Sequence, residues 1–392
     1  MDKKRRPVVL IIIIAALISA AAYYMYAENA YAPGAREASV FTETEVRFPL
    51  SFEDMANVYA NGGKAFYLST KDGVKHITST GAVKWDLTYS MLDPTMKGRG
   101  EYAAVSDNKG YVFYMLGPNG PMYEKKYDTQ ILFFTVNARG DAGVILQEES
   151  DYRMFVYNAA GETILEYVHA DDSNIPLCMD VSEDGRIAAV SLMDINGIKL
   201  SSRVVFFYTA EEGKNYSRTL IGGVECPDLF VAYIYFMAGN KLLYIAEEEI
   251  ACVDVESQSG AHVAWRLPLS NRLDAFALMG GKGFAVAYGD AMQGKREYAS
   301  VGTVEIYNME MTLTGGHEFD DRVTYMSGAP DYLIAAEGRR YTAFSAKGAS
   351  LWEYTALQET KRFMFLEGGG TGSMVLQTNT SATVIRHGRA AS

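Results

Sequence analysis

The stretch Arg322 to Thr355, "RVTYMSGAPDYLIAAEGRRYTAFSAKGASLWEYT", decides how the whole chain is read. It breaks into four short runs, "RVTYMSGA", "YLIAAEG", "RYTAFSA" and "ASLWEYT", set apart by turn signals that include "AKG". Each run is too short for a helix, and all four are rich in residues that suit a pleated, half-buried surface. Four such runs in succession predict one antiparallel four-stranded unit.

Working outward, units of the same kind recur every 40 to 50 residues or so, the spacing of β-propeller blades. Their first strands read "ILFFTVNA" from Ile131, "IPLCMDVS" from Ile175, "LFVAYIYFM" from Leu229, "RLDAFALMG" from Arg272, "RVTYMSGA" from Arg322 and "RFMFLEGG" from Arg362. Two more units precede them. One begins at "MANVYAN", and the other at "PTMKGRG", a weak first strand that leaves a seven-bladed ring as the alternative. The fourth and sixth units carry longer internal hairpins around "MDINGIKLSS" and "YGDAMQGKREYASV". The last has only three strands, and the orphan segment "TEVRFPLS" (Thr44 to Ser51) is the expected fourth. The expected fold is therefore all-β, an eight-bladed β-propeller over residues 45–392 whose N-terminal strand closes the last blade. The 27 Tyr and 36 Gly among 392 residues fit many short strands joined by turns.

The chain begins "MDKKRRPVVLIIIIAALISAAAYYMYAENAYA". Residues 1–6 read as a basic cytoplasmic tip and 7–27 as a transmembrane signal anchor, long enough to cross a hydrocarbon core of ~30 Å. Lys3, Lys4, Arg5 and Arg6 hold that end inside, so the body is expected to be extracytoplasmic, on a linker of residues 28–44. Small residues in "SAAAYY" and "AENAYA" also suit a signal peptidase, which makes a cleaved leader the competing reading. Net charge is −12, and nearly all the basic clustering lies in "KKRR". So acidic a body argues against nucleic acid and anionic lipid as partners.

All three tryptophans follow a glycine by four or five positions: "STGAVKW" (Ser79 to Trp85), "QSGAHVAW" (Gln258 to Trp265) and "AKGASLW" (Ala346 to Trp352). A glycine turn followed by a strand that lays a large apolar ring on the next blade explains the pattern. These segments, with Asp254 nearby, resemble the tryptophan-docking repeats of quinoprotein-like propellers. Tyr123 and Ile164 are the expected substitutes in the second and third blades. The layout is also similar to that of membrane-anchored propeller proteins of Gram-positive bacteria. The quinoprotein resemblance would imply a cofactor in the central funnel, carboxylate-held Ca²⁺ and a catalytic Asp, but no residues here identify those parts.

The sequence offers no catalytic, cofactor-binding or metal-ligating residues. His76, His169, His262, His317 and His387 fall in separate predicted blades without ligand spacing. Cys178, Cys226 and Cys252 have no redox or metal spacing and read as buried small side chains, with a Cys178–Cys252 bridge left open. "SEDGR" (Ser182 to Arg186) resembles part of a sialidase Asp-box turn and is expected to be an ordinary hairpin turn. "EEE" (Glu247 to Glu249) and "ADD" (Ala170 to Asp172) read as solvated turns, and "GGG" (368–370) as a hairpin tip or interblade turn. The expected function is a non-enzymatic, membrane-anchored binding or scaffold module for a protein or cell-envelope partner. The alternative is a carbohydrate-active hydrolase or lyase whose carboxylates would converge in the funnel.

Overall fold

The computed structural model describes residues 39–149, 151–170, 173–209, 220–256, 260–269, 273–280, 282–289, 302–366 and 372–389. The expected membrane segment, most of the expected linker and "GGG" lie outside these residues. Among the described residues no helix is long and apolar enough to cross a membrane.

Eight four-stranded antiparallel sheets make up the fold, which removes the seven-bladed alternative. Seven blades are consecutive in the chain, at residues 57–88, 94–126, 130–169, 174–226, 231–268, 273–319 and 323–355. Inner strands of neighbouring blades touch around the axis, and the eighth blade's inner strand (Thr360–Phe365) meets that of the first (Asn57–Ala60). The eighth blade takes its outer strand from the other end of the chain. Ser39–Pro49 pairs antiparallel with Ser381–Arg389, from Ser39 opposite Arg389 to Pro49 opposite Ser381. An irregularity between Glu43 and Arg47 is held by Thr44, whose Oγ1 donates to the Val384 carbonyl at 2.8 Å and accepts from the Val46 amide at 3.2 Å. This strand begins earlier than the sequence suggested, so residues 39–44 belong to the propeller and not to the linker. The reason is apolar: Phe41 packs edge-on against Trp352 at 5.1 Å and lies 4.9 Å from Tyr354.

The hydrophobic core is distributed. Among the described residues there are eight buried clusters, one between each pair of adjacent blades, including the pair formed by the last and the first. A single blade cannot bury both faces of its sheet, so each depends on its neighbours.

The tryptophans act in these interfaces. Trp85 of blade 1 reaches blade 2, where its Nε1 donates to the Pro118 carbonyl at 3.4 Å. Trp265 of blade 5 packs on Phe284 and Tyr307 of blade 6 at 6.1 and 5.8 Å. Trp352 of blade 7, only 2% exposed, lies 6.0 Å from Phe363 and 6.1 Å from Phe365 of blade 8. Gly81, Gly260 and Gly348 turn the chain before them with φ of 88°, 86° and 78°. Strand register sharpens the motif. Each Trp is the first paired residue after a bulge in its outer strand, opposite His76, Cys252 and Ala343 respectively. Tyr123 holds the same place opposite Met115 in blade 2, as expected. In blade 3 the place belongs to Leu165, opposite Val156, whereas Ile164 sits in the bulge one residue earlier and packs at the margin of the same cluster. Blade 6 has Gly315 there, because a Cβ would lie 2.5 Å from the Lys347 carbonyl oxygen of the next blade's turn.

Two outcomes follow from this packing. Trp352→Ala should lower the unfolding free energy by about 3 to 5 kcal/mol in urea titrations, and the half-buried Trp85→Ala by less. A chain starting at residue 51 would leave Ser381–Arg389 as an open edge and should elute as aggregate in size-exclusion chromatography. Adding a peptide of residues 39–50 should restore monomer.

Candidate functional site

Strand order gives the ring two distinct faces. Inner strands run from the face that carries the interblade connections and second-to-third turns, here the upper face, to the lower face with the remaining hairpins. Ser39 begins an outer strand and Arg389 ends a third strand, so both ends of the described chain lie at the lower face.

Polar groups converge at the lower end of the channel. Arg99, which ends the inner strand of blade 2 (Pro94–Arg99), passes over blade 3 to bind Asp180 of blade 4 through Nη2 at 3.0 Å and Glu183 through Nη1 at 3.2 Å. Asp180 is 1% exposed and also accepts from Thr135 Oγ1 at 3.1 Å and the Phe236 amide at 2.7 Å. One carboxylate thus ties the inner strands of blades 2, 3, 4 and 5. Burial works against the Arg99 charge, but Asp180 and Glu183 outweigh it and hold the guanidinium above its ordinary range. Both carboxylates are occupied by this pairing, unlike the acid and base of a glycosidase, which must exchange protons with substrate. Near the upper end Asp274 accepts from Arg322 Nε at 2.9 Å.

Lys97, two residues before Arg99, lies 3.4 Å above the centre of the Phe133 ring. Burial pulls its amine from 10.5 down to about 8, against weaker upward pulls from Cys178 and Asp180. In blade 1, His76 stacks on Tyr67 at 4.5 Å and its Nε2 lies 3.0 Å from Asn61 Nδ2. Burial, then Lys84, brings His76 down to about 4, so the ring is neutral and packed within the blade.

The residues singled out in the sequence do not assemble into a site. The five histidines occupy five different blades, and among the described residues no three His, Cys, Asp or Glu side chains are placed to hold a metal ion. Cys178, Cys226 and Cys252 are free and buried, and the bridge left open between Cys178 and Cys252 does not form. "SEDGR" is a lower-face hairpin turn, with Ser182 Oγ donating to Asp184 at 2.6 Å. Of "EEE", Glu247 and Glu248 are exposed in an upper-face turn, while Glu249 accepts from Tyr244 and Arg266. Asp171 and Asp172 of "ADD" lie outside the described residues.

The feature that sequence reading missed is the placement of exposed apolar side chains. Among the described large ones only Val83 and Leu220 are at the lower face; all the others lie in upper-face loops or at the upper ends of strands. Six of these ten upper-face residues, Leu132, Val168, Ile195, Ile198, Leu200 and Tyr233, belong to blades 3 to 5, and Ile198 is fully exposed. Exposed apolar side chains segregated to one face make that face the candidate site.

The Lys97 environment gives a test by pH. The unfolded chain keeps this proton to about pH 10.5, so the folding penalty is full below pH 8 and relieved as pH rises from 8 to 10.5. Lys97→Met should therefore raise the unfolding free energy at pH 7 by about 1 to 2 kcal/mol, with the gain shrinking by pH 10.5. An equal gain at both pH values in urea titrations would contradict the assignment.

Comparison with known proteins reinforces the fold. BamB from Moraxella catarrhalis is similar over 88% of this chain and 100% of its own, with 11% identity and a TM-score of 0.52. At this identity the likeness is one of fold, and it agrees with the propeller expected from the repeats. A hydrazine synthase chain of Kuenenia stuttgartiensis is similar over 76% of this chain and 94% of its own, at 12% identity and a TM-score of 0.46. Raptor of Chaetomium thermophilum is similar over 90% of this chain and 29% of its own, at 7% identity and a TM-score of 0.49. No curated protein matches in sequence. Residues 37–386 match the model of a family of unknown function, DUF5711, and the chain belongs to that family.

Proposed function

We propose that this protein is a membrane-tethered, extracytoplasmic binding module that receives a protein partner on the upper face of its propeller and performs no chemistry of its own. The observation that carries the reading is the segregation of exposed apolar side chains to the face opposite the chain's point of entry. Leaving Ile198, Tyr233 and their neighbours in water has no benefit to folding, whereas covering them on association releases hydration water. The basic tip and apolar run of residues 7–27 supply the tether, and residues 28–38 join it to the lower face. That arrangement turns the upper face away from the bilayer, toward a partner.

The reading is tested in native membranes. The full chain should remain with the membranes after an alkaline wash and be digested by protease added from outside, while a chain starting at residue 39 should be released. Chemical crosslinking should give a higher-mass complex that Ile198→Asp with Tyr233→Asp abolishes and Val83→Asp with Leu220→Asp preserves. A complex unaffected by the upper-face pair, or no complex at all, would overturn the proposal.

A further inference from the structure

We infer that the partner seated on the upper face is a basic protein segment bearing bulky apolar side chains, and that its seat is the sector of blades 3 to 5. This rests on the reading that the upper face binds a protein.

The centre of the seat is apolar and held in place. The turn of blade 4 that carries Ile195, Ile198 and Leu200 joins its second and third strands (Ile187–Asp194 and Ser201–Tyr208). Its base is fixed to the connection from blade 3, where the Ile195 amide donates to the Ser173 carbonyl at 3.1 Å. Its other side is fixed to the connection toward blade 5, where the Asp228 amide donates to Ser201 Oγ at 3.1 Å, and the exposed Lys199 Nζ also meets Asp228 at 3.2 Å. The Asn196 amide donates to Asp194 Oδ1 at 2.9 Å within the turn. An exposed isoleucine on a turn tied at both sides loses little entropy when a partner covers it, which is the condition for an anchoring contact.

Charge identifies the occupant. On the blade 3 side of this turn lie Glu148, Glu149 and Asp151, and on the blade 5 side Asp228, Glu247 and Glu248. Arg153 pairs with Glu148 and Lys199 with Asp228, but no cation of the described residues pairs with Glu149, Glu247 or Glu248, all exposed. The asymmetry extends across the molecule. In the described upper-face loops acidic residues outnumber basic ones by more than two to one, and in the lower-face loops the excess is much smaller. An apolar centre between acidic flanks repels anionic lipid, nucleic acid and the same face of a second copy. It attracts a segment whose Lys or Arg flank its own apolar residues: the flanking charges steer encounter, and the centre supplies most of the affinity.

The test uses the full chain in its native membranes, with a photo-crosslinking amino acid in place of Ile198 or of Tyr233 and, as a control, in place of Val83. The crosslinked partner peptide is then sequenced by mass spectrometry. We expect an adduct from position 198 and none from position 83, and a captured segment of net positive charge with at least two bulky apolar residues. Reversing Glu149, Glu247 and Glu248 to Lys should cut the adduct yield about tenfold, and neutralising them to Gln should cut it less. The parent yield should also fall as salt rises from about 50 to about 500 mM. A neutral or acidic segment, a second copy of this chain, a lipid adduct, or a yield indifferent to charge reversal would each overturn the inference. A neutral or acidic protein segment would do so while leaving the binding role in place. Absence of adducts from both position 198 and position 233 would overturn the two together.

Discussion

Everything in this molecule depends on the seam where Ser39–Pro49 lies against Ser381–Arg389. A ring of twisted sheets in which each blade covers its neighbour has no stable end, because an unclosed ring leaves one sheet face bare and one strand edge unpaired. Backbone hydrogen bonds at the seam pair the edge, and Phe41 places a ring on Trp352 and Tyr354 of the preceding blade. The seam also brings the two ends of the described chain together at the lower face, which orients the propeller relative to whatever precedes it.

Between blades, the same mechanical problem is solved with side chains of different size. One register position, just after the bulge in the outer strand, is filled by Trp in blades 1, 5 and 7, by Tyr123 in blade 2 and by Leu165 in blade 3. Blade 6 uses Gly315, where the turn of the next blade approaches too closely for a side chain. In blade 4 the position falls on Gly222, with open space beside it, and Ile221 in the bulge packs on the interface instead, so the repeat is degenerate in which residue does the packing. At the channel a different device serves the same end: Asp180 and Arg99 join four inner strands through buried, charge-assisted hydrogen bonds.

The two faces that result are unequal. The lower one holds the ends of the described chain and the Arg99 cluster, whose charges are satisfied internally. Among the described residues, the upper one holds nearly all the exposed large apolar side chains and the greater acidic excess. Loops on this face are free to carry such residues because the strands beneath them supply the stability.

Much of the architecture is legible from sequence, for a physical reason. Strand alternation, glycine turns and the Gly-to-Trp step are local, so the unit in Arg322 to Thr355 announces itself, repeats at a regular interval and leaves one strand short at the C-terminus. Even the source of the missing strand can be read, because "TEVRFPLS" has no partner of its own. The start of that strand at Ser39 cannot, since it depends on where Trp352 and Tyr354 come to lie. Nor can the substitution of Leu165 for Ile164 at the docking position, which a bulge shifts by one residue. The Arg99–Asp180 pair joins residues far apart in sequence that meet only when four inner strands converge. Ile198, Tyr233 and Glu247 likewise look like ordinary loop and strand residues in a linear reading. The blade, its repetition and the closing strand follow from local periodicity, which the linear chain already displays. Which loops share a face depends on the direction each strand takes through a closed ring, and so emerges only on folding.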